Sequence, residues 1–373
     1  MANKIPVVAP VEAYHAYREQ FDAAVRRVLE GGWYILGKEV SAFEQAFAAY
    51  CGLPHMLGVA NGTDAIVLAL KSLGVGPGDT VITVSHTAVA TVAAIEMTGA
   101  QAVLVDIDPD HYCLDPEKLE ATFVELARDG IRPRAVVAVH IYGHPSDTPA
   151  LAEICTRHGA ALVEDCAQAH GARIDGRHVG NAGAAATFSF YPTKNLGAFG
   201  DGGAVGFTDS AAAERCRALR EYGWKERYIS DVPGMNSRLD ELHAAMLSVR
   251  LEHLDAEVAR RRAVANIYDR ELANVVGTPA VRAGAEHAYH LYVVRTSARD
   301  QLAARLAEQG IGTGIHYPAA VHQQRAYAGR VRIGAGGMPV TERLVTEILS
   351  LPVHGLLPDS AAEQVAAAVR AAQ

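Results

Sequence analysis

Leu162-Val163-Glu164-Asp165-Cys166-Ala167-Gln168, then Thr187-Phe188-Ser189-Phe190-Tyr191-Pro192-Thr193-Lys194-Asn195, then Gly200-Asp201-Gly202-Gly203 decide how this chain is read. Asp165 ends a short apolar run and Lys194 follows another. Short apolar runs between turns have the texture of buried parallel strands. In open α/β sheets, ligands bind beyond the carboxyl ends of the strands. A carboxylate placed there is costly unless a cation or a hydrogen-bond donor meets it. A lysine in such a loop, flanked by aromatics and glycines, has its pKa lowered and becomes a nucleophilic amine. Two readings fit the pair. One is an Asp–Lys ion pair at a sheet edge. The other is the pair that pyridoxal phosphate (PLP) needs, a carboxylate for the pyridine nitrogen and a lysine for the Schiff base.

Outward from this stretch the chain alternates between helix and strand. Upstream, Glu12 to Gly31 reads as a helix stopped by Gly31-Gly32, and Val40 to Tyr50 as a second. Met56 to Val59, Thr80 to Val84, Ala102 to Val105, Ala135 to His140, Ala161 to Val163 and Ala186 to Phe190 read as strands. Asn61-Gly62-Thr63-Asp64 opens a helix running to Gly74, and Ala88 to Thr98 forms another. Alternating strands and helices predict an α/β sheet covered on both faces. After Asn236 the texture changes. A long amphipathic helix is expected from Leu239 to Leu272, with Arg260-Arg261-Arg262 on its wet face. Tyr289 to Arg295 follows as a strand, Ala298 to Gln309 as a helix, and a last helix begins at Ala361. The expected division is a large domain over 14–240 and a smaller α+β domain over 241–373, joined by the segment 1–13.

Composition narrows the function. The 373 residues suit about two domains. Half are hydrophobic and 20% charged, a globular profile. The net charge of -8 and the lack of a basic patch argue against nucleic acid and anionic membrane as partners. No run of 18 apolar residues exists to span a bilayer. Met1-Ala2-Asn3-Lys4-Ile5-Pro6 lacks an apolar signal core, so a cytoplasmic protein is expected. Five scattered cysteines, none in C-x-x-C, read as reduced thiols and not as a disulfide frame or a zinc site. No metal is expected. Gly32-Trp33-Tyr34-Ile35-Leu36-Gly37-Lys38-Glu39 has the G-x4-G-K spacing of a nucleotide loop. Its bulky interior, the Glu39 in place of a hydroxyl and the preceding helix argue against one. Neither G-x-G-x-x-G nor G-x-S-x-G is present. Gly62-Thr63 opens a helix directly after a strand, which is either an anion cradle or an ordinary cap. Ser189 adds a hydroxyl to that end.

With these blocks in order, the chain resembles the sugar aminotransferases of the DegT/DnrJ/EryC1/StrS family, PLP enzymes of fold type I. Gly32 to Gly37, Asn61-Gly62-Thr63-Asp64-Ala65, Val139-His140-Ile141-Tyr142-Gly143, Val163 to Gly171, Phe188 to Ala198, Asn236 to Glu241 and His316-Tyr317-Pro318 carry the resemblance. It implies a mostly parallel, seven-stranded-type sheet sandwiched by helices, with a smaller C-terminal α+β domain. It implies PLP as cofactor, with Lys194 as the Schiff-base lysine and Asp165 as partner of the pyridine nitrogen. Gln168 lies against the ring or its hydroxyl, and Gly62, Thr63 and Ser189 form the phosphate cup. Asn236 reaches the cofactor of the neighbouring subunit, so a homodimer with shared active sites is implied. Family members usually carry an aromatic ring over the cofactor after the threonine at position 87. Here that residue is Ala88, and His86 is the candidate substitute. His243 stands where relatives carry glutamine. Relatives that dehydrate sugars carry histidine at the lysine position, so Lys194 favours transamination. The implied reaction is ping-pong transfer from an amino acid, L-glutamate, to a nucleotide-linked keto sugar. The Trp33 to Gly37 segment resembles members that aminate a 3-keto-6-deoxyhexose. Tyr34, His316 and Tyr317 are the candidates for the sugar side. A 4-keto sugar or a keto-cyclitol is the alternative acceptor, and a non-catalytic regulatory protein of the same fold is the other reading.

Overall fold

The computed structural model describes residues 4–373; Met1 to Asn3, part of the stretch read as lacking a signal core, lie outside them. Seven of the eight strands of the main sheet have five residues each: β1 (His55–Val59), β2 (Thr80–Val84), β3 (Gln101–Val105), β4 (Ala135–Val139), β5 (Ala161–Asp165), β6 (Ala185–Ser189) and β7 (Gly203–Phe207). Farther along the chain come β8 (Tyr292–Arg295), β9 (Arg332–Ile333) and β10 (Ile348–Leu351). The spatial order in the large sheet is β1-β7-β6-β5-β4-β2-β3-β9. From β6 to β9 every neighbour is parallel, whereas β7 runs antiparallel to both β6 and β1. The two reversals cancel. The carboxyl end of β1 therefore lies at the same edge as those of β2, β4, β5 and β6.

Residue alternation sorts the strands between two cores. Val81, Leu104, Val137 and Val163 face one cluster, and Ile82, Val103, Val136 and Leu162 face the other. Both faces are covered, so nearly every strand position is apolar. β8 and β10 pair antiparallel as a second sheet, packed with the helix Asp359–Ala372 into a third core. One 32-residue helix, Glu241–Leu272, serves two cores. At 1.5 Å per residue it is about 48 Å long. Its first half buries Ala244 and Leu247 with Phe43, Phe47 and Phe190, and its second half buries Val264, Tyr268 and Leu272 with Tyr292.

Several expectations need correction. The first helix is two, Pro10–Ala16 and Arg18–Gly31, because Tyr17 leaves helical geometry at φ -121°. Arg260-Arg261-Arg262 is not a wet face. Three consecutive helical residues span about 200°, so one must turn inward. Arg261 is buried and donates to the carbonyls of Tyr289 and Val353, each at 3.1 Å. Arg260 donates to Leu357 O and Arg262 to His287 O. β7 and the two-residue β9 were not expected at all. Among the described residues no helix is long and apolar enough to cross a membrane.

The stretch with nucleotide-loop spacing is explained by its filling. Glu241 is buried at the N-terminus of the helix Lys38–Cys51. Its Oε1 accepts from Gly37 N at 2.9 Å and Val40 N at 2.8 Å, and its Oε2 from Glu39 N at 3.0 Å. The chain supplies its own anion to those free N–H groups. Gly37 leaves room for it, since a Cβ there would sit 2.7 Å from Glu241 Oε2. Glu241→Ala is expected to strand three N–H groups and lower unfolding stability by about 3 kcal/mol, measured by urea titration. An unchanged midpoint would show that water replaces the carboxylate at no cost.

Candidate active site

The carboxyl edge of the large sheet opens into a cavity of about 560 Å³. β2 and β4 adjoin there although β3 lies between them in sequence, so this edge is a topological switch point. Asp165, the last residue of β5, and Lys194, in the loop after β6, both line the cavity. A second cavity of about 420 Å³ lies against Lys194 and is lined also by Val7, Val8, Thr193, His290, His316 and Tyr317. Lys194 and Tyr191 are common to both.

Asp165 is buried and held from two sides. Ala167 N donates to Oδ1 at 3.1 Å, and Thr91 Oγ1 donates to Oδ2 at 3.0 Å. Burial pushes its carboxyl above the ordinary range, opposed first by those two bonds and then by Lys194. Burial pushes the Lys194 amine down to about 8, with Asp165 acting against the shift. About a tenth of the amine is then uncharged at pH 7, far more than for an ordinary lysine.

The loop carrying Lys194 is tightly fixed. Lys194 N donates to Tyr191 O at 2.8 Å. A Cβ on Gly197 would stand 2.6 Å from Pro192 O, so the turn admits only glycine. Behind the lysine, Asn195 Nδ2 donates to Ala288 O at 3.0 Å. Arg250, buried on the long helix, donates to Asn195 O at 3.1 Å and to Glu257 at 2.8 Å.

At the other end of the cavity, Asn61, Gly62, Thr63 and Ser189 meet. Asn61 caps the helix Gly62–Ser72 by accepting from Asp64 N at 2.8 Å. A Cβ on Gly62 would lie 2.6 Å from Ser189 Cβ, so glycine lets the helix N-terminus approach the serine. Gly203 closes the gap from the neighbouring strand, pairing with Val59 on one side and Ser189 on the other. Ser237 Oγ donates to Asp64 at 2.6 Å and accepts from Ala60 N at 3.1 Å, tying this corner to the segment after β7.

Gln168 is fixed at both ends of its amide. Its Oε1 accepts from Tyr142 N at 2.7 Å and its Nε2 donates to Tyr317 Oη at 2.9 Å. Tyr142 adopts φ 60°, and Gly143 at φ 95° admits the close approach of Gln168 O and His290 N, each 3.0 Å from its Cβ position. Burial pushes the Tyr317 phenol up to about 12, so it stays protonated. His316 Nδ1 meets Ser350 Oγ at 2.9 Å.

Three sequence candidates lie elsewhere. His86 does not line the cavity. It is buried, and its Nε2 meets Tyr142 Oη at 2.6 Å. The chain bends after β2, so Thr87 and Ala88 both line the cavity while His86 turns away toward Tyr142. Tyr142 donates its hydrogen to His316 O, so His86 Nε2 must be the donor to Tyr142. Tyr34 sits on an exposed segment, 49% accessible, with its carbonyl accepting from Glu241 N. Asn236 is exposed and lies outside the cavity of its own chain. His243 lies beside Gly200, whose Cβ position is 2.8 Å from its Nε2. Thr87, Thr91, Tyr142, Tyr191 and His290 were not singled out. The signal for the first two was present, hydroxyls four residues apart where a helix opens after a strand. The grouping of His140, Glu164 and Cys166 beneath the site resembles a ligand set but is internally bonded. Glu164 accepts from His140 and from three backbone N–H groups, and His140 Nδ1 accepts from Ser146 N.

Known proteins give this edge a context. The profile of the DegT/DnrJ/EryC1/StrS aminotransferase family matches residues 15–370. The dTDP-3-amino-3,4,6-trideoxy-alpha-D-glucose transaminase of Streptomyces venezuelae is 46% identical over 369 residues, covering 98% of this chain and 96% of that one. The erythromycin biosynthesis sensory transduction protein EryC1 of Saccharopolyspora erythraea is 47% identical, covering 98% and 99%. The crystal structure of S. venezuelae DesV in complex with a ketimine intermediate superposes with a TM-score of 0.93 at 46% identity, covering 99% and 98%. With a family match over nearly its whole length and transaminases among its near relatives, the chain is an enzyme that belongs to the DegT/DnrJ/EryC1/StrS aminotransferase family.

Proposed function

We propose that the chain is a PLP-dependent aminotransferase that moves an amino group from L-glutamate to a nucleotide-linked keto sugar, a 3-keto-6-deoxyhexose. The observation that carries this reading is that Asp165 and Lys194, from different strand ends, line one cavity. The residues present fit the cofactor. Gly62 and Ser189 form a cradle that a Cβ would fill, at a helix N-terminus suited to phosphate. When bound, PLP supplies a protonated pyridine ring that draws electrons from the carbon bearing the amino group.

Asp165 holds the proton on the ring nitrogen, Gln168 borders the ring, and Gly62, Thr63 and Ser189 bind the phosphate. Lys194 Nζ would hold the cofactor covalently, and as a free amine it would move a proton at the donor's α-carbon. The second cavity, with His316 and Tyr317 on its wall, receives the substrates. The tight loop around Lys194 keeps its amine between the two cavities. Asn236, exposed on its own chain, is assigned to the cofactor of the partner subunit in a homodimer. The acceptor follows those transaminase relatives whose names specify 3-amino sugars linked to dTDP; others are named for UDP-linked sugars.

The absorption spectrum, taken before and after L-glutamate, tests the reading. The protein reconstituted with PLP is expected to absorb at the visible edge, and glutamate to shift the band to the pyridoxamine form. A band that ignores glutamate would retain the cofactor and refute the donor. No band after reconstitution would leave Lys194 and Asp165 as a structural ion pair. A panel of nucleotide keto sugars, differing at C3 and C4, then identifies the acceptor.

A further inference from the structure

Among the described residues Asp165 has one side-chain hydrogen-bond donor, Thr91, and that hydroxyl is itself engaged. Thr91 Oγ1 lies 3.0 Å from Asp165 Oδ2 and 2.9 Å from Thr87 Oγ1, and both threonines are buried. A hydroxyl carries one hydrogen. While Asp165 is ionised, Thr91 gives that hydrogen to Oδ2, and Thr87 must be the donor in the contact between threonines. The chain of bonds therefore has one direction, Thr87 to Thr91 to Asp165. A proton on Oδ2 would force it to turn round. Thr87 and Thr91 stand four residues apart, on one side of the turn that opens the helix Val89–Met97.

We propose that Thr91, oriented by Thr87, is a positioning residue that holds Asp165 ionised and aimed into the cavity. This rests on the reading of the site as a PLP site. The other groups that face Asp165 are Lys194 from the loop after β6, His140 after β4, Cys166 next in the chain and Tyr317 from the C-terminal third. None of these donates a hydrogen bond to its carboxylate. Ala167 N does, but as backbone it cannot be varied. Thr91 is the donor that sequence change can remove. Burial acts to neutralise Asp165, and the bonds from Ala167 and Thr91 act against it. A neutral Asp165 would no longer hold the ring proton of the cofactor.

The test compares Thr91→Val, which keeps the shape and removes the hydroxyl, with Thr91→Ser, which keeps the hydroxyl. Each is reconstituted with PLP. The readouts are the PLP dissociation constant, the pH titration of the bound chromophore, and the rate of the glutamate half-reaction. Thr91→Val is expected to weaken PLP binding and slow the half-reaction, each by about 10- to 100-fold, as for loss of a bond to a charged group. Its chromophore titration is expected to shift. Thr91→Ser is expected to restore all three, and Thr87→Val to show a smaller loss. Wild-type titration and affinity in Thr91→Val would overturn the relay, as would a Thr91→Ser variant that fails like the valine. Either result leaves the PLP reading standing, because wild-type uptake is measured alongside. Failure of the wild-type chain to take up PLP refutes that reading, and the relay with it.

Discussion

Lys194→Ala is expected to lower kcat for amino transfer by about 10⁴-fold or more while the protein still takes up PLP. In the proposed reaction one side chain serves as the covalent attachment and as the acid/base group, and the acid/base role alone contributes about 10²- to 10⁴-fold. The variant should fold. Its loop is held by backbone contacts that alanine preserves, from Lys194 N to Tyr191 O and from Arg250 to Asn195 O. Single-turnover kinetics with glutamate, followed by the chromophore, measures the loss. A rate within tenfold of wild type would remove Lys194 from the reaction. The native lysine adds a pH signature. Its pKa is depressed to about 8, so the rate at which the apoprotein captures PLP should rise up to that pH and then level off. An ordinary lysine would drive a rise to about 10.4. The linkage has the matching sign. Between those values the unfolded chain binds more protons at this site, so apoprotein stability from Lys194 rises with pH. The burial cost is fully present below about 8.

Asp165→Asn is expected to cost about 10³-fold in kcat, within the range found when one preorganised polar group is removed. The change is nearly isosteric and the surroundings accommodate it. The amide oxygen takes the bond from Ala167 N, and the amide NH2 donates to Thr91, whose hydroxyl rotates to accept. What disappears is the negative charge. The ring nitrogen then has no reason to stay protonated, and the electron sink fails. Kinetics of both half-reactions, with cofactor stoichiometry measured in parallel, separates lost chemistry from lost binding. Near-normal turnover with bound PLP would refute the assignment of Asp165.

Much of this edge was legible because the chemistry is written at strand ends. Asp165, Gln168, Gly62, Thr63, Ser189 and Lys194 all follow short apolar runs, and all six line the one cavity. The runs themselves were found because strands buried on both faces need apolar residues throughout. β7 was missed because it opens on glycine and is bounded by no polar alternation. His86 was misplaced because it lies on the bend after β2, where strand alternation no longer fixes a side chain's direction. Arg261 was placed in water because a charged triplet looks wet. Its true partners are carbonyls more than twenty residues away. Tyr34 and Asn236 lie on the surface, where no local pattern marks them as part of a site.

β7 lies between β1 and β6 and pairs with both. With strands about 4.8 Å apart, the gap it fills is close to 10 Å. A ribosome delivers Gly62, Asp165, Ser189 and Lys194 before it delivers Gly203. Until that strand pairs with both neighbours, the helix N-terminus after β1 is not tied through the sheet to the serine that ends β6. On the proposed reading, an incomplete chain carries Lys194 but not the closed phosphate cup.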